Sequence, residues 1–128
     1  MIDGHIRRII DPILDRMAVT VCRMSITANQ VTITGFFIGL TSVPLLAYNL
    51  YSAALVVILI NRFMDGLDGA IARYTRPTDT GAYLDIVLDF IFYSAVVFGF
   101  CLGQADAALY GAFLIFSFVG TGTSFLAF

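Results

Sequence analysis

The sequence predicts an all-α polytopic membrane helix bundle, with an N-terminal interfacial amphipathic helix followed by four transmembrane helices. Three observations carry that expectation. Apolar residues make up 59% of the 128-residue chain and charged ones only 12%, whereas soluble domains average about 45–50% and about 25%. Four stretches approach the roughly 20 residues a helix needs to cross a hydrocarbon core about 30 Å thick. None of them alternates strictly as barrel strands do, so helices are what satisfies their backbone hydrogen bonds. The same composition excludes a disordered chain, which would be polar and poor in aromatics.

Residues 1–24 read as a juxtamembrane arm. Ile6, Ile9, Ile10, Ile13, Leu14 and Met17 recur at helical spacing, while Arg7, Arg8, Asp11, Asp15 and Arg16 take the other face. That pattern suits a helix lying in the headgroup region. Pro12 removes one hydrogen bond, which predicts a kink or a late helix start. Ser25 to Asn29 supplies several candidate N-caps for the first span.

The spans are expected near 31–50, 52–73, 83–102 and 108–128, and the whole chain, 1–128, as a single membrane domain. The first and last are uncharged, the second carries Arg62, Asp65 and Asp68 before ending at Arg73, and the third begins with Asp85 and Asp89. The first long apolar run starts only at Val31 and no small-residue cleavage site ends it, so no cleavable signal peptide is expected. Gly35 with Gly39, and Gly99 with Gly103, are small-xxx-small pairs that let membrane helices approach closely. Cys22 and Cys101 offer neither a disulfide framework nor a metal-type spacing. His5, alone near a terminus, reads as a surface residue.

All nine acidic residues are Asp and all seven basic ones Arg, giving a formal net charge of −2, which implies no nucleic-acid partner. Arg7, Arg8, Arg16 and Arg23 precede the first span, and Arg73 and Arg76 border the short loop Tyr74–Thr80. The connections near Asn49–Tyr51 and Gly103–Ala107 have no Arg. The positive-inside rule therefore places the N-terminus and the Tyr74–Thr80 loop in the cytoplasm.

Intramembrane carboxylates are costly, at roughly 2.5–3.5 kcal/mol each near a helix centre, yet two adjacent spans carry four. Asp65 and Asp68 share one helical face, as do Asp85 and Asp89. At 1.5 Å per residue, Asp68 lies about 7.5 Å and Asp65 about 12 Å inward from Arg73, while Asp85 lies about 6 Å and Asp89 about 12 Å inward from Gly81. Antiparallel helices joined by a short loop are expected to be neighbours, so the four carboxylates should converge just inside the cytoplasmic face. Such a group needs protonation or a cation, and an all-oxygen donor set favours hard divalent ions such as Mg²⁺, Mn²⁺ or Ca²⁺. Four ligands suffice for two ions, with positions left open for a phosphate-bearing substrate. Gly66 and Gly69 separate the acids, and the planar fork of Arg73, one turn beyond Gly69, is placed to reach a phosphate over that glycine.

The segment from Asp65 to Asp89 reads D-x2-D-G-x2-A-R-x7-G-x3-D-x3-D. It resembles the signature of the CDP-alcohol phosphotransferase (CDP-alcohol phosphatidyltransferase) family of integral membrane enzymes, with the Arg-to-Gly spacing one residue shorter than the usual form. The resemblance implies that Asp65, Asp68, Asp85 and Asp89 hold Mg²⁺ or Mn²⁺, two ions in all, and that Asp89 also acts as general base. It implies contacts from Gly69, Arg73 and Gly81 to the cytidine diphosphate of the donor. Asn29 and Thr32 resemble an N-x-x-T at the start of the first span, which adds Thr32 to the nucleotide site. The implied reaction is metal-dependent transfer of a phospho-alcohol group, a phosphatidyl group where the donor is CDP-diacylglycerol, to an alcohol acceptor with release of CMP. That is a step of phospholipid biosynthesis. The implied partners are the CDP-alcohol donor, the alcohol acceptor, the bilayer and, as is common in the family, a second copy in a homodimer. The resemblance also leads us to expect an incomplete form of the enzyme, without the family's last two transmembrane helices.

A cation- or proton-translocating protein is the competing expectation for an Asp cluster in a membrane. Transport calls for polar residues continuing towards the far side. Here the spans are almost purely apolar beyond Asp65 and Asp89.

Overall fold

The computed structural model describes residues 2–127 and is all-helical over them. Helix α1 runs Ile2–Arg23, α2 Ala28–Leu40, α3 Ser42–Ala47, α4 Tyr51–Tyr74, α5 Asp79–Gly103 and α6 Ala108–Leu126, with one 3-10 turn at Ala105–Ala107 before α6. Met1 and Phe128, the ends of the expected arm and fourth span, lie outside the described residues.

Pro12 does not delay the start of α1: it sits inside a helix that runs unbroken from Ile2 to Arg23. Both Pro12 and Arg8, whose carbonyl loses its donor, are exposed, so the freed oxygen keeps access to solvent. The chain turns out of α1 through Ser25, which takes a left-handed φ of 61°. Thr27 then starts α2 with a capping box: its hydroxyl accepts from the Gln30 N–H, and the Gln30 side chain accepts from the Thr27 N–H.

The first expected span is two helices rather than one. Pro44 has no N–H for the Leu40 carbonyl and its ring would clash there, so α2 ends at Leu40 and α3 restarts at Ser42. Asn49, at a φ of 60°, closes α3, as the short polar side chain of Asn tolerates that conformation. Pro77 and the Thr78 cap, whose hydroxyl accepts from the Gly81 N–H at 2.9 Å, reduce the loop between α4 and α5 to Thr75–Thr78.

Among the described residues, three segments are long and apolar enough to cross a membrane: Ala28–Ala47 (20 residues), Asp79–Gly103 (25 residues) and Ala105–Leu126 (22 residues). Helix α4, with 24 residues, matches them in length but carries Arg62, Asp65, Asp68 and Arg73, and is set apart by charge alone.

The tightest core lies where α1 and α2 meet α4, through Leu14, Ala18, Val31, Leu67, Ala70 and Ile71. Leu14 and Ala18 turn towards α4, while Ile6, Ile9, Ile10, Ile13 and Met17 stay exposed along α1. The arm therefore docks by one narrow stripe and keeps an apolar face outward, as a helix at a lipid surface does. His5 is exposed.

One expectation fails. Helices α4 and α5 are consecutive and joined by four residues, yet among the described residues no Cα of one comes within 8 Å of the other. Each packs instead on α2 and α3. A Cβ on Gly39 of α2 would lie 2.7 Å from both Asn61 of α4 and Phe92 of α5, so this bare helix face is where all three helices meet. The carboxylate-bearing faces of α4 and α5 are left with a gap that side chains span.

The glycine pairs are packing contacts. A Cβ on Gly99 would lie 2.9 Å from the Val43 Cα, and one on Gly103 2.5 Å from the Leu46 carbonyl oxygen. A Cβ on Gly120 of α6 would meet nothing within 4 Å. Gly103→Ala is therefore expected to lose about 1–3 kcal/mol of stability, because backbone cannot yield to the new methyl. Gly120→Ala should gain up to about 1 kcal/mol from helix propensity. Thermal unfolding of both variants in detergent checks this, and equal melting temperatures would contradict the close packing of α3 on α5.

Candidate functional site

The helical spacing of Asp65 and Asp68 turns both towards the gap, and α5 turns Asp85 to meet them. One carboxylate oxygen from each of Asp65, Asp68 and Asp85 lies within 4.8 Å of the others. Asp68 is buried, and its Oδ2 accepts a hydrogen bond of 2.7 Å from the Thr32 hydroxyl on α2. Asp85 Oδ1 is buried without a hydrogen-bond partner. Among the described residues no arginine lies within ion-pair distance of Asp68 or Asp85. Three converging carboxylates, one with an orphaned buried oxygen, fit a hard divalent cation, which takes oxygen ligands and supplies the missing positive charge.

Asp89 stands outside that trio. Its Oδ1 accepts from Arg62 Nη2 at 2.8 Å, and Arg62 Nη1 also reaches Asp65 Oδ2 at 3.5 Å. Arg62 bridges α4 and α5 across the gap. Its Nη1 donates to the Tyr93 hydroxyl at 2.9 Å, and its Nε and Nη2 donate to Asn61 Oδ1 at 3.0 and 2.7 Å. Asn61, itself buried, donates to the Gly35 carbonyl of α2 at 2.8 Å. The guanidinium carbon also lies 5.2 Å from the ring centres of both Phe92 and Tyr93, within cation–π range.

A cavity of about 260 Å³ opens beside the carboxylates towards the α4–α5 loop. It is slightly below the usual range for small-molecule sites, about 300–1,000 Å³. Asp68 and Asp85 line its deep end, and Thr32, Gly69 and Gly81 its walls, so five of the residues expected at the site face one space. Asn29 lines it too, and its Oδ1 would lie 3.2 Å from a Cβ on Gly81.

Arg73 does not line this cavity. Its Nη1 would lie 3.5 Å from a Cβ on Gly69, as its place one turn beyond that glycine predicts. Its Nη2 pairs with Asp15 of α1 at 3.8 Å, with both side chains more than half exposed, so the pair adds little stability. The side chain lines a separate depression with Asp15, Val19 and Tyr74. Arg76 lines the cavity instead. From the sequence, Arg76 marked only the sidedness of the loop, and which loop arginine turns inward depends on the Pro77 turn. Asn61 and Tyr93 were not singled out at all. The available signal was Arg62, the one arginine well inside a span, since such a charge requires partners nearby.

The sequence pattern of the CDP-alcohol phosphatidyltransferase family matches residues 25–128, from just after the arm through the entire carboxylate segment. The chain belongs to this family. It is 50% identical over 129 residues to the inner membrane protein YnjF of Escherichia coli (strain K12), an alignment covering 100% of this chain and 63% of that protein. It is 36% identical over 95 residues to the archaetidylinositol phosphate synthase of Pyrococcus horikoshii, covering 70% of this chain and 48% of the relative. The enzyme of the same name from Methanothermobacter thermautotrophicus is 33% identical over 113 residues, covering 88% and 54%. The chain thus spans between about half and under two thirds of these relatives' lengths. Within the CDP-alcohol phosphatidyltransferase match, Asp65, Asp68 and Asp85 form the acidic trio, and Arg62 occupies Asp89.

If the trio is the metal centre, Asp65→Asn, Asp68→Asn and Asp85→Asn should each weaken Mn²⁺ binding at least about tenfold, since even indirect partners of metal ligands account for 10–100-fold. Asp11→Asn, exposed on α1, should leave binding unchanged. Paramagnetic resonance of free Mn²⁺ reads both, and equal affinities in all four variants would contradict the assignment.

Proposed function

We propose that this protein transfers a phospho-alcohol group, a phosphatidyl group from CDP-diacylglycerol, to an alcohol acceptor with release of CMP, in phospholipid biosynthesis. The observation that carries the reading is the acidic trio, two of whose members, Asp68 and Asp85, line a cavity together with Gly69, Gly81 and Arg76. Family membership and the two archaetidylinositol phosphate synthases support it, and they make an inositol phosphate one acceptor to try.

In this reading Asp65, Asp68 and Asp85 hold Mg²⁺ or Mn²⁺, and Thr32 fixes the orientation of Asp68. Bound there, a divalent ion supplies charge neutralisation for a pyrophosphate and its leaving group. The cavity walls take the nucleotide: Gly69 and Gly81 present no side chain, and the planar guanidinium of Arg76 suits a phosphate. Asp89 takes the proton from the acceptor hydroxyl, whose oxygen forms a bond to the β-phosphorus. The bond from that phosphorus to the bridging oxygen breaks, and CMP leaves with the electron pair. Base catalysis of this kind is worth about 10²–10⁴-fold.

The chain acts in this reading as one membrane unit, 1–128, with α4 crossing the bilayer beside the three more apolar segments. Six of the seven arginines lie at the α1 and α4–α5 loop end, which supports a site on the cytoplasmic side. The nucleotide then stays in water while the lipid tails of the donor remain in the bilayer. The exposed apolar stripe of α1 supports its lying along that same surface.

The test is CMP release from radiolabelled CDP-diacylglycerol against a panel of alcohols and phosphorylated alcohols, an inositol phosphate among them. Activity should require Mg²⁺ or Mn²⁺ and fall about 10²–10⁴-fold in Asp89→Asn. Metal-independent release of CMP, or full activity in Asp89→Asn, would overturn the mechanism.

A further inference from the structure

Each of the five N–H groups of Arg62 already has an acceptor. Nε and one Nη2 hydrogen go to Asn61, the other Nη2 hydrogen to Asp89, and the two on Nη1 to Tyr93 and Asp65. A guanidinium has no further donors. It is therefore not poised to bind an incoming phosphate, although it is a fixed cation beside the acidic site.

What this saturated group does is hold Asp89. Asn61 anchors one end of the network on the α2 backbone through the Gly35 carbonyl. Phe92 and Tyr93 lie against the guanidinium on α5. Asp89 receives its contact through Oδ1 alone, and among the described residues Oδ2 has no hydrogen-bond partner. Asp89 also lines the small pocket shared with Asp65, Asp68 and Asp85. Since the backbones of α4 and α5 do not pack together, this network is a direct side-chain tie between Asp89 on α5 and Asp65 on α4.

We propose that Arg62, braced by Asn61 and Tyr93, is a positioning residue for Asp89, holding Oδ1 so that Oδ2 faces the acceptor hydroxyl. The inference rests on the proposed role of Asp89 as base. The proton leaves the hydroxyl for Oδ2 as the oxygen–phosphorus bond forms, and Arg62 keeps all its protons throughout.

Steady-state CMP release from CDP-diacylglycerol, with whichever acceptor of the panel is fastest, is compared in the wild type, Arg62→Met, Arg62→Lys and Tyr93→Phe, and Mn²⁺ affinity is measured on the same samples. Misplacing a catalytic group by about 1 Å costs about 100-fold, so Arg62→Met should lower kcat by about that factor. Donor KM and Mn²⁺ affinity should stay within about threefold. Arg62→Lys, which keeps the charge but cannot serve all the acceptors, should recover part of the loss. Tyr93→Phe removes one brace and should lower kcat by roughly three- to tenfold, a milder form of the same misplacement, with Mn²⁺ binding intact. Tyr93→Phe decides the matter if Arg62→Met does not fold. Unchanged kcat in both variants, or kcat and Mn²⁺ affinity falling together, would overturn the positioning role and leave Arg62 a purely structural tie. A wild type that binds Mn²⁺ but releases no CMP with any acceptor would instead overturn the transferase reading, and the positioning role with it.

Discussion

Mutual repulsion of acids in a poorly solvated gap is the constraint on which the rest of the structure turns. Two unit charges within 4.8 Å of each other repel by at least about 3.5 kcal/mol at an effective dielectric of about 20. Three ionised carboxylates at that separation would amount to about 10 kcal/mol, comparable to the 5–15 kcal/mol that keeps a typical domain folded. Arg62 forms ion pairs with Asp65 and Asp89 but with neither Asp68 nor Asp85. A site built this way holds together best around a bound cation, and that is the physical basis for reading it as a metal centre.

The helix arrangement follows from the same constraint. Helices α4 and α5 keep their acidic faces apart and take their packing from α2 and α3. Gly39 makes that feasible by admitting Asn61 and Phe92 to one bare patch. The capping box at Thr27 fixes where α2 begins, and hence the depth at which Thr32 meets Asp68. On the other side of α4, Leu14 and Ala18 of α1 complete the core under Leu67 and Ile71. The position of the arm is thereby tied to the helix that carries two of the four acids.

Much of this was legible in the sequence because membrane burial makes polarity informative. Four Asp in two spans needed a reason, and their i, i+3 and i, i+4 spacings fixed which faces they share. The arm was legible from its two-faced pattern and the loop from Pro77. What the sequence did not disclose depends on side chains choosing between partners across helices. Helical periodicity sets Arg73 beside Gly69, where one of its nitrogens lies, but does not disclose that another pairs with Asp15 of α1. Nor does it reveal that Arg76 turns inward or that Tyr93 closes the network around Arg62. Chain connectivity also misled: a short loop brings two helix ends together but does not oblige the helices to pack along their length. The break at Thr41 was readable from Pro44, which forbids the Leu40 carbonyl its usual partner.

The central claim is that α4 and α5, held apart on a common α2–α3 support, aim three carboxylates at one divalent cation. Anomalous scattering at the manganese edge, from crystals grown with Mn²⁺, tests it most directly. The account predicts a peak bounded by Asp65, Asp68 and Asp85, with Arg62 still on Asp89. A strongest peak elsewhere on the protein, or none among these three carboxylates with Mn²⁺ in excess, would contradict it.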